Sequence, residues 1–187
     1  MERMIPGTTL KFTEQARDEA FSLISPVLEA TGGLTLSQLS KLTGLEGTTI
    51  QNWIKRGWVS STKGKKYSEK QVLRILLINM LRGAMKLEDI AKLMSYVNGD
   101  VEDTSDDIIA DIHLYNILCK VIFTAEDSGA FDEQSLRGII GSEIAENTHM
   151  IADDEKLAGA MYSMVLAYRS GRLKAEMEKS LEKLIRS

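Results

Sequence analysis

Residues 35–67 read TLSQLSKLTGLEGTTIQNWIKRGWVSSTKGKKY, and this stretch decides the fold. Thr35 followed by Gln38 is a capping box that opens a helix, and Gly44 ends that helix. A second helix is predicted over residues 47–56, because the glycine after it stands where a left-handed residue closes a helix. The stretch therefore predicts two short helices joined by a tight turn.

A small wing is predicted after the second helix. Residues 58–59 and 66–67 favour two brief strands, and the polar residues 60–65 between them favour a hairpin loop. Residues 68–71 hold another capping box, which opens an apolar helix, and one more short helix follows. Residues 34–98 therefore read as helix, turn, helix, small wing, helix, helix.

The flanking segments also read as helical. The chain divides into an N-terminal helical arm (residues 1–33), the module of residues 34–98 and an all-helical C-terminal domain (residues 99–187), which shows no alternating strand pattern. Thr104 is predicted to cap the first helix of that domain. The Ser-Gly pair at residues 170–171 predicts a bend or break in its last helix.

Charge divides the chain in the same places. The whole chain carries a net charge of -4, yet residues 34–98 hold eleven Lys and Arg against four acids, a net +7. Residues 1–33 carry -2 and residues 99–187 carry -9. A basic segment joined to an acidic one indicates that the basic segment meets a polyanion, most often a nucleic acid.

The helix over residues 47–56 combines an apolar stripe with a polar face. The stripe is formed by Ile50, Trp53 and Ile54. The opposite face consists of Thr48, Gln51, Asn52 and Lys55. Amide side chains pair with adenine in the major groove and a lysine reaches phosphate, so this face suits DNA. A helix that is merely solvated shows the same pattern, and the helix alone does not decide between the two.

Three lysines, Lys63, Lys65 and Lys66, surround a glycine at the tip of the predicted wing. Their ammonium groups suit a phosphate backbone. Together with Lys55 or Arg56 they would release about four counterions on binding DNA, which gives a log–log salt slope of roughly -4. A lysine loop that only keeps a protein soluble is the alternative.

Ordered motifs across the basic segment resemble the winged helix-turn-helix of the MerR family. The resemblance covers residues 34–97 and rests on TLSQLSKLTGL at 35–45, TI at 49–50, KRGWV at 55–59, KKYSE at 65–69 and LEDI at 87–90. It implies an all-α, mainly helical fold: a winged helix-turn-helix with a small two-stranded wing plus an all-helical C-terminal domain. It further implies DNA contacts from Thr48, Gln51, Asn52 and Trp53, and a phosphate contact from Lys65.

The chain departs from the MerR pattern in its second helix. That family usually carries Arg at the position of Gln51, Tyr at those of Asn52 and Trp53, and Glu at that of Ile54. Its long antiparallel dimerisation helix is replaced here by an acidic helical segment. The chain is more similar to an uncharacterised family of Gram-positive bacteria that is catalogued as a domain of unknown function, a resemblance that implies no activity.

The sequence predicts no enzyme, metal site or cofactor. It holds two histidines, and Glu146 with His149 lacks the second copy that a carboxylate-bridged metal site needs. Cys119, the one cysteine, excludes an intramolecular disulfide and is expected to be buried. Residues 1–7 lack a signal-peptide pattern and no apolar run is long enough to span a membrane, so we expect a cytoplasmic protein.

These patterns together predict a bacterial DNA-binding transcriptional regulator. We expect a homodimer that reads a palindromic operator in double-stranded DNA, and an unidentified small-molecule or protein effector is a further expectation for residues 99–187. Two alternatives stay open. One is an interaction module that uses the winged fold as a scaffold without sequence-specific DNA binding. The other is a small-ligand sensor with its pocket between the last two helices.

Overall fold

The computed structural model describes residues 3–62, 64–101, 103 and 105–186. Lys63 and Thr104 lie outside the described residues. The fold is mainly helical, as predicted, with one small antiparallel sheet of β1 (Leu34–Thr35) and β2 (Lys66–Tyr67). The helices are α1 (Ser25–Thr31), α2 (Leu36–Thr43), α3 (Gly47–Lys55), α4 (Glu69–Leu81), α5 (Leu87–Asn98), α6 (Asp111–Ser128), α7 (Glu133–Asn147) and α8 (Asp154–Arg186).

Local capping signals set the ends of the helices in the basic segment. Thr35 and Gln38 form the predicted capping box at α2, and a second one forms at the start of α4. Gly44 and Gly57 adopt φ of 71° and 73°, the left-handed region that follows a helix end. The two-helix arrangement of α2 and α3 is therefore confirmed.

The predicted hairpin is wrong, because the partner of β2 lies before α2. Leu34 stands opposite Tyr67 and Thr35 opposite Lys66. Residues 58–59 form no strand: the Trp58 N–H donates to the carbonyl oxygen of Trp53, 3.0 Å away, and so closes the end of α3. That N–H is thus unavailable to a strand ladder.

Helix α4 lies at the centre of the molecule. Ten of its thirteen residues are buried, and it packs against α2, α5, α6 and α8. The buried apolar residues form a single cluster that runs from the N-terminal arm to α8. The division of the chain at residues 33 and 98 stays a prediction, and the core crosses both positions.

The N-terminal arm packs on α6. The Arg3 guanidinium lies over the rings of Phe12 and Phe123, at 4.4 and 4.7 Å from their centroids, and donates to the Asp127 carboxylate. The buried Tyr115 hydroxyl donates to the carbonyl oxygen of Pro6 at 2.7 Å. These contacts join the first residues of the chain to its acidic segment.

Two predictions in the C-terminal segment are wrong. Helix α6 begins at Asp111, later than predicted, because the backbone of Ile108 bonds to that of Val97 and Ala152 instead of entering a helix. Helix α8 continues through residues 170–171 without a break. Gly171 instead allows the backbone of α8 to pack closely against Gly83, because a Cβ on Gly171 would lie 3.0 Å from Cα of Gly83.

Candidate nucleic-acid interface

Helix α3 is held to the body of the protein by its apolar stripe. Ile50 is 0% and Trp53 2% exposed, and Ile54 is half-buried. The indole of Trp53, which the resemblance assigns to DNA contact, therefore lies in the core and apart from the exposed residues predicted to contact DNA. The same burial fixes the orientation of the opposite face of the helix.

The polar face of α3 points to solvent as the spacing predicts. Thr48, Gln51, Asn52 and Lys55 are all exposed. Within the described part of the chain, the amides of Gln51 and Asn52 have no hydrogen-bond partner. Two amides on adjacent residues of a rigid helix are therefore available to an external hydrogen-bonding partner.

Arg56 follows α3 and is engaged by the protein itself. Its guanidinium lies 3.3 Å from the Glu88 carboxylate and 5.0 Å from the centroid of the Trp58 ring. Arg56 and Glu88 are both exposed, so this ion pair is weak and open to competition from a phosphate.

Of the lysines in the predicted wing, the structure describes Lys65 and Lys66, and it places them differently. Lys65 is exposed, whereas the Lys66 ammonium donates to the carbonyl oxygen of Thr31 at the end of α1. Lys63 lies outside the described residues. Because β2 packs against β1 and α2, the structure brings Lys65 and Lys66 to the same small module as α3.

One buried charged contact was not predicted from the sequence. The Arg74 side chain of α4 is 7% exposed and lies 3.8 Å from the Asp111 carboxylate at the start of α6. Burial lowers the Arg74 pKa and Asp111 opposes that change. The Asn98 amide also donates to Asp111, at 2.9 Å. These residues couple the basic module to the acidic segment, and no local pattern marks contacts between residues so far apart in the chain.

Among the described residues several hollows offer space for a small molecule, and two of the larger ones border the acidic segment. A cleft of about 660 Å³ lies between the start of α4, the loop before α6 and residues 149–152, and its lining includes Lys70, Asp107 and His149. A hollow of about 240 Å³ lies between α6 and α8, where Phe131 and Leu173 line it. Neither hollow lies at α3.

Other reactive side chains are placed in the core or apart from one another. Cys119 is fully buried, as expected, and burial raises the pKa of its thiol. Met161 and Met164 are core residues, whereas Met177 is exposed. Among the described residues, no cluster of three His, Cys, Asp or Glu side chains is arranged to hold a metal ion. None of the described helices has the length and apolar character needed to cross a membrane.

Comparison with known proteins places this fold in a family. Residues 21–118 match the family described as "Domain of unknown function (DUF1836)". The chain belongs to the DUF1836 family. The predicted similarity to a domain of unknown function is therefore confirmed. The DUF1836 region includes all of α1 to α5 together with Arg74 and Asp111, so the coupling between the two segments lies within it.

A relative of this DUF1836 protein occurs in Bacillus subtilis strain 168. It is named "Uncharacterized protein YkrK" and is 31% identical over 121 residues, which cover 61% of this chain and 52% of the relative. The aligned part thus spans about half the length of that protein. No solved structure matches the chain.

Proposed function

We propose that this chain is a bacterial DNA-binding transcriptional regulator. The observation that carries the proposal is the polar face of α3: Gln51 and Asn52 are exposed and without an intramolecular hydrogen bond, on a helix that Ile50 and Trp53 hold in place. A rigid helix that presents free amides at fixed positions suits base recognition in the major groove. The order of motifs in residues 34–97, which resembles the MerR family, supports the same function.

In this proposal the amides read bases and the cations bind the backbone. Gln51 and Asn52 donate to and accept from the edge of an adenine, and Thr48 borders them. The phosphate contacts come from Lys55, Arg56, Lys63, Lys65 and Lys66. The net charge of +7 over residues 34–98 supports attraction to DNA although the whole chain is acidic.

The regulator is proposed to act as a homodimer on a palindromic operator. A helix-turn-helix protein generally reads two half-sites whose symmetry matches its own two-fold axis. A single α3 of nine residues offers few base contacts, so a second copy would increase both affinity and specificity.

A gel mobility shift on the promoter of the chain's own gene, at low and moderate salt, tests DNA binding. Lys65→Gln with Lys66→Gln is expected to weaken binding to all sequences and to flatten the log–log salt slope by about 2. The control removes two charges elsewhere, with Arg137→Gln and Lys156→Gln in the acidic segment, away from both α3 and the end of α8. Equal losses in both double variants would mean that net charge alone attracts DNA.

Asn52→Ala tests base recognition in the same assay. It is expected to lower the preference for the promoter over unrelated DNA by about 1–3 kcal/mol, with little effect on binding to unrelated DNA. An absence of retardation by the unmodified protein even at low salt would overturn the proposal.

Two specific observations favour second candidates. Lys66 and Arg56 are already engaged by Thr31 and Glu88, as expected of an interaction module that uses this fold as a scaffold. The cleft of about 660 Å³ favours a small-ligand sensor, although it lies beside α4 and not between the last two helices. A ligand there would touch the helix that follows β2, which offers a route from an effector to the DNA-binding module.

A further inference from the structure

The end of α8 stands away from the body of the protein. Every residue over 173–186 is exposed, although the preceding turns of the same helix are packed in the core. This segment is about 20 Å long. Isolated helices of this length are marginal in water, because their stability in proteins comes mainly from packing an apolar face.

An apolar stripe runs along this exposed segment. Leu173, Met177 and Leu181 are 56, 55 and 50% exposed, and Leu184 and Ile185 near the tip are 72 and 75% exposed. Spacings of four and three residues keep such side chains on one face of a helix. The exposed large apolar side chains of the described residues are concentrated here, and a surface of this kind marks an interaction site.

The stripe continues into an apolar hollow at its base. Leu173 lines both the stripe and the hollow of about 240 Å³, and the neighbouring Phe131 ring is 44% exposed. A helix that binds along the stripe can therefore also place side chains in this hollow, where α8 leaves the body. If that helix runs in the opposite direction, the residues at its C-terminal tip reach the hollow.

Charge complementarity identifies the occupant as a second copy. Glu176 and Lys183 are seven residues apart and thus lie on the same flank of the stripe. In an antiparallel pair that sets Met177 beside Leu181 of the second copy, Glu176 of each chain meets Lys183 of the other. The same pairing brings Leu173 to the Leu184–Ile185 tip. A single sequence thus supplies the apolar match and two ion pairs.

The distribution of net charge agrees with this occupant. Residues 169–187 hold six bases against three acids, a net +3, whereas residues 99–168 hold three bases against fifteen acids, a net -12. In the antiparallel arrangement the basic tip of each α8 approaches the acidic body of the other copy. Attraction between these surfaces favours the pair and orients it.

We infer that residues 173–186 of α8 form the self-association surface of this protein and pair antiparallel with the same residues of a second copy. The inference rests on the homodimer of the proposed function and adds its surface and orientation. It does not depend on DNA binding, because self-association is measured without DNA.

Sedimentation equilibrium of the full chain at about 50 µM tests the surface. The unmodified chain is expected to be a dimer. Met177→Glu with Leu181→Glu places charges in the stripe and is expected to raise the dissociation constant at least about 100-fold, which leaves a monomer. The matched control, Ala175→Glu with Lys179→Gln, changes the net charge equally on the opposite face and is expected to stay dimeric.

A charge exchange tests the antiparallel orientation. Glu176→Lys alone and Lys183→Glu alone each place like charges together twice in the pair and are expected to weaken it about tenfold. The double exchange is expected to restore most of the affinity. Failure of the double variant to recover would overturn the orientation.

Two outcomes would overturn the surface itself. One is a monomeric unmodified chain, which would leave the stripe to another protein, and the other is a dimer that persists in the Met177→Glu, Leu181→Glu variant. Circular dichroism confirms that each variant is folded. The mobility shift, run on the same samples, separates the two proposals. If the unmodified chain is monomeric and still retards DNA, only the inferred dimer surface is overturned. If it is dimeric and does not retard DNA, only the proposed regulator function is overturned.

Discussion

Helix α3 and the exposed end of α8 present opposite kinds of surface to solvent. In α3 the apolar side chains Ile50 and Trp53 are buried, and polar side chains face outward. Over residues 173–186 of α8 the apolar side chains themselves are exposed. A helix anchored by its apolar face holds its polar groups at fixed positions, which suits recognition. A helix with an uncovered apolar face gains stability only when another surface covers it.

The largest effect is expected where the anchor of α3 is removed. Trp53→Ala deletes a side chain that is 2% exposed and is expected to lower the free energy of unfolding by about 3–5 kcal/mol. Leu181→Ala also truncates an apolar side chain, but at the end of α8, where Leu181 is 50% exposed. It is expected to change the free energy of unfolding of the monomer by less than about 0.5 kcal/mol. Urea unfolding in dilute solution measures both.

Similar losses of unfolding free energy in Trp53→Ala and Leu181→Ala would contradict the contrast between α3 and the end of α8. They would mean that residues 173–186 are packed within a single copy, and the inferred surface would then be unavailable to a partner. Asn52→Ala serves as the folded control, because its side chain is exposed and its replacement is expected to leave the free energy of unfolding nearly unchanged.

The parts of the fold that local signals determine could be predicted from the sequence. The capping box at Thr35 and the left-handed glycines after α2 and α3 act within a few residues, so they set helix ends whatever the rest of the chain does. The same holds for the alternation of buried and exposed residues in α3. Of the candidate site, this was enough to identify Gln51 and Asn52 as exposed.

The parts that depend on distant contacts could not be predicted. The partner of β2 is β1: Thr35 precedes its partner Lys66 by 31 residues and Leu34 precedes Tyr67 by 33, so no local pattern marks the pairing. The sequence predicts that Lys66 is free to bind phosphate at the tip of the wing. Its hydrogen bond to the Thr31 carbonyl oxygen forms only once β2 has paired with β1, so no local pattern indicates it. Trp53 matched a DNA-contacting position of the MerR family, yet its burial follows from the apolar stripe that the same sequence contains.

The next largest effect is expected at the point where α8 leaves the body. A Cβ at Gly171 would lie 3.0 Å from Cα of Gly83, so Gly171→Ala forces two backbones apart and is expected to cost about 1–3 kcal/mol. Gly159→Ala, in the same helix with no atom within 4 Å of its added Cβ, is expected to stabilise by about 0.5–1 kcal/mol. Thermal unfolding of the two variants gives the difference.

Stabilisation by both alanines would contradict the close packing of Gly171 against Gly83. The glycine would then be a plain helix defect, and residues 173–186 would be free to change direction relative to the body. Destabilisation by Gly171→Ala alone would mean that close packing against Gly83 fixes the direction of α8 where it leaves the body. This keeps the apolar stripe in line with the hollow at Phe131.

The smallest effect is expected at the end of α3. Gly57 has φ of 73° and no atom lies within 4 Å of an added Cβ, so Gly57→Ala is opposed by backbone conformation alone and is expected to cost about 1 kcal/mol. Gly138 lies inside α7 and also has open space around an added Cβ, and Gly138→Ala is expected to be neutral or slightly stabilising. Urea unfolding of the two variants measures the difference.

If Gly57→Ala proved equally neutral, α3 would have a less fixed end than its cap indicates. Its outward amides would then be held by Ile50 and Trp53 alone, and the contrast with the end of α8 would rest on burial without any contribution from capping.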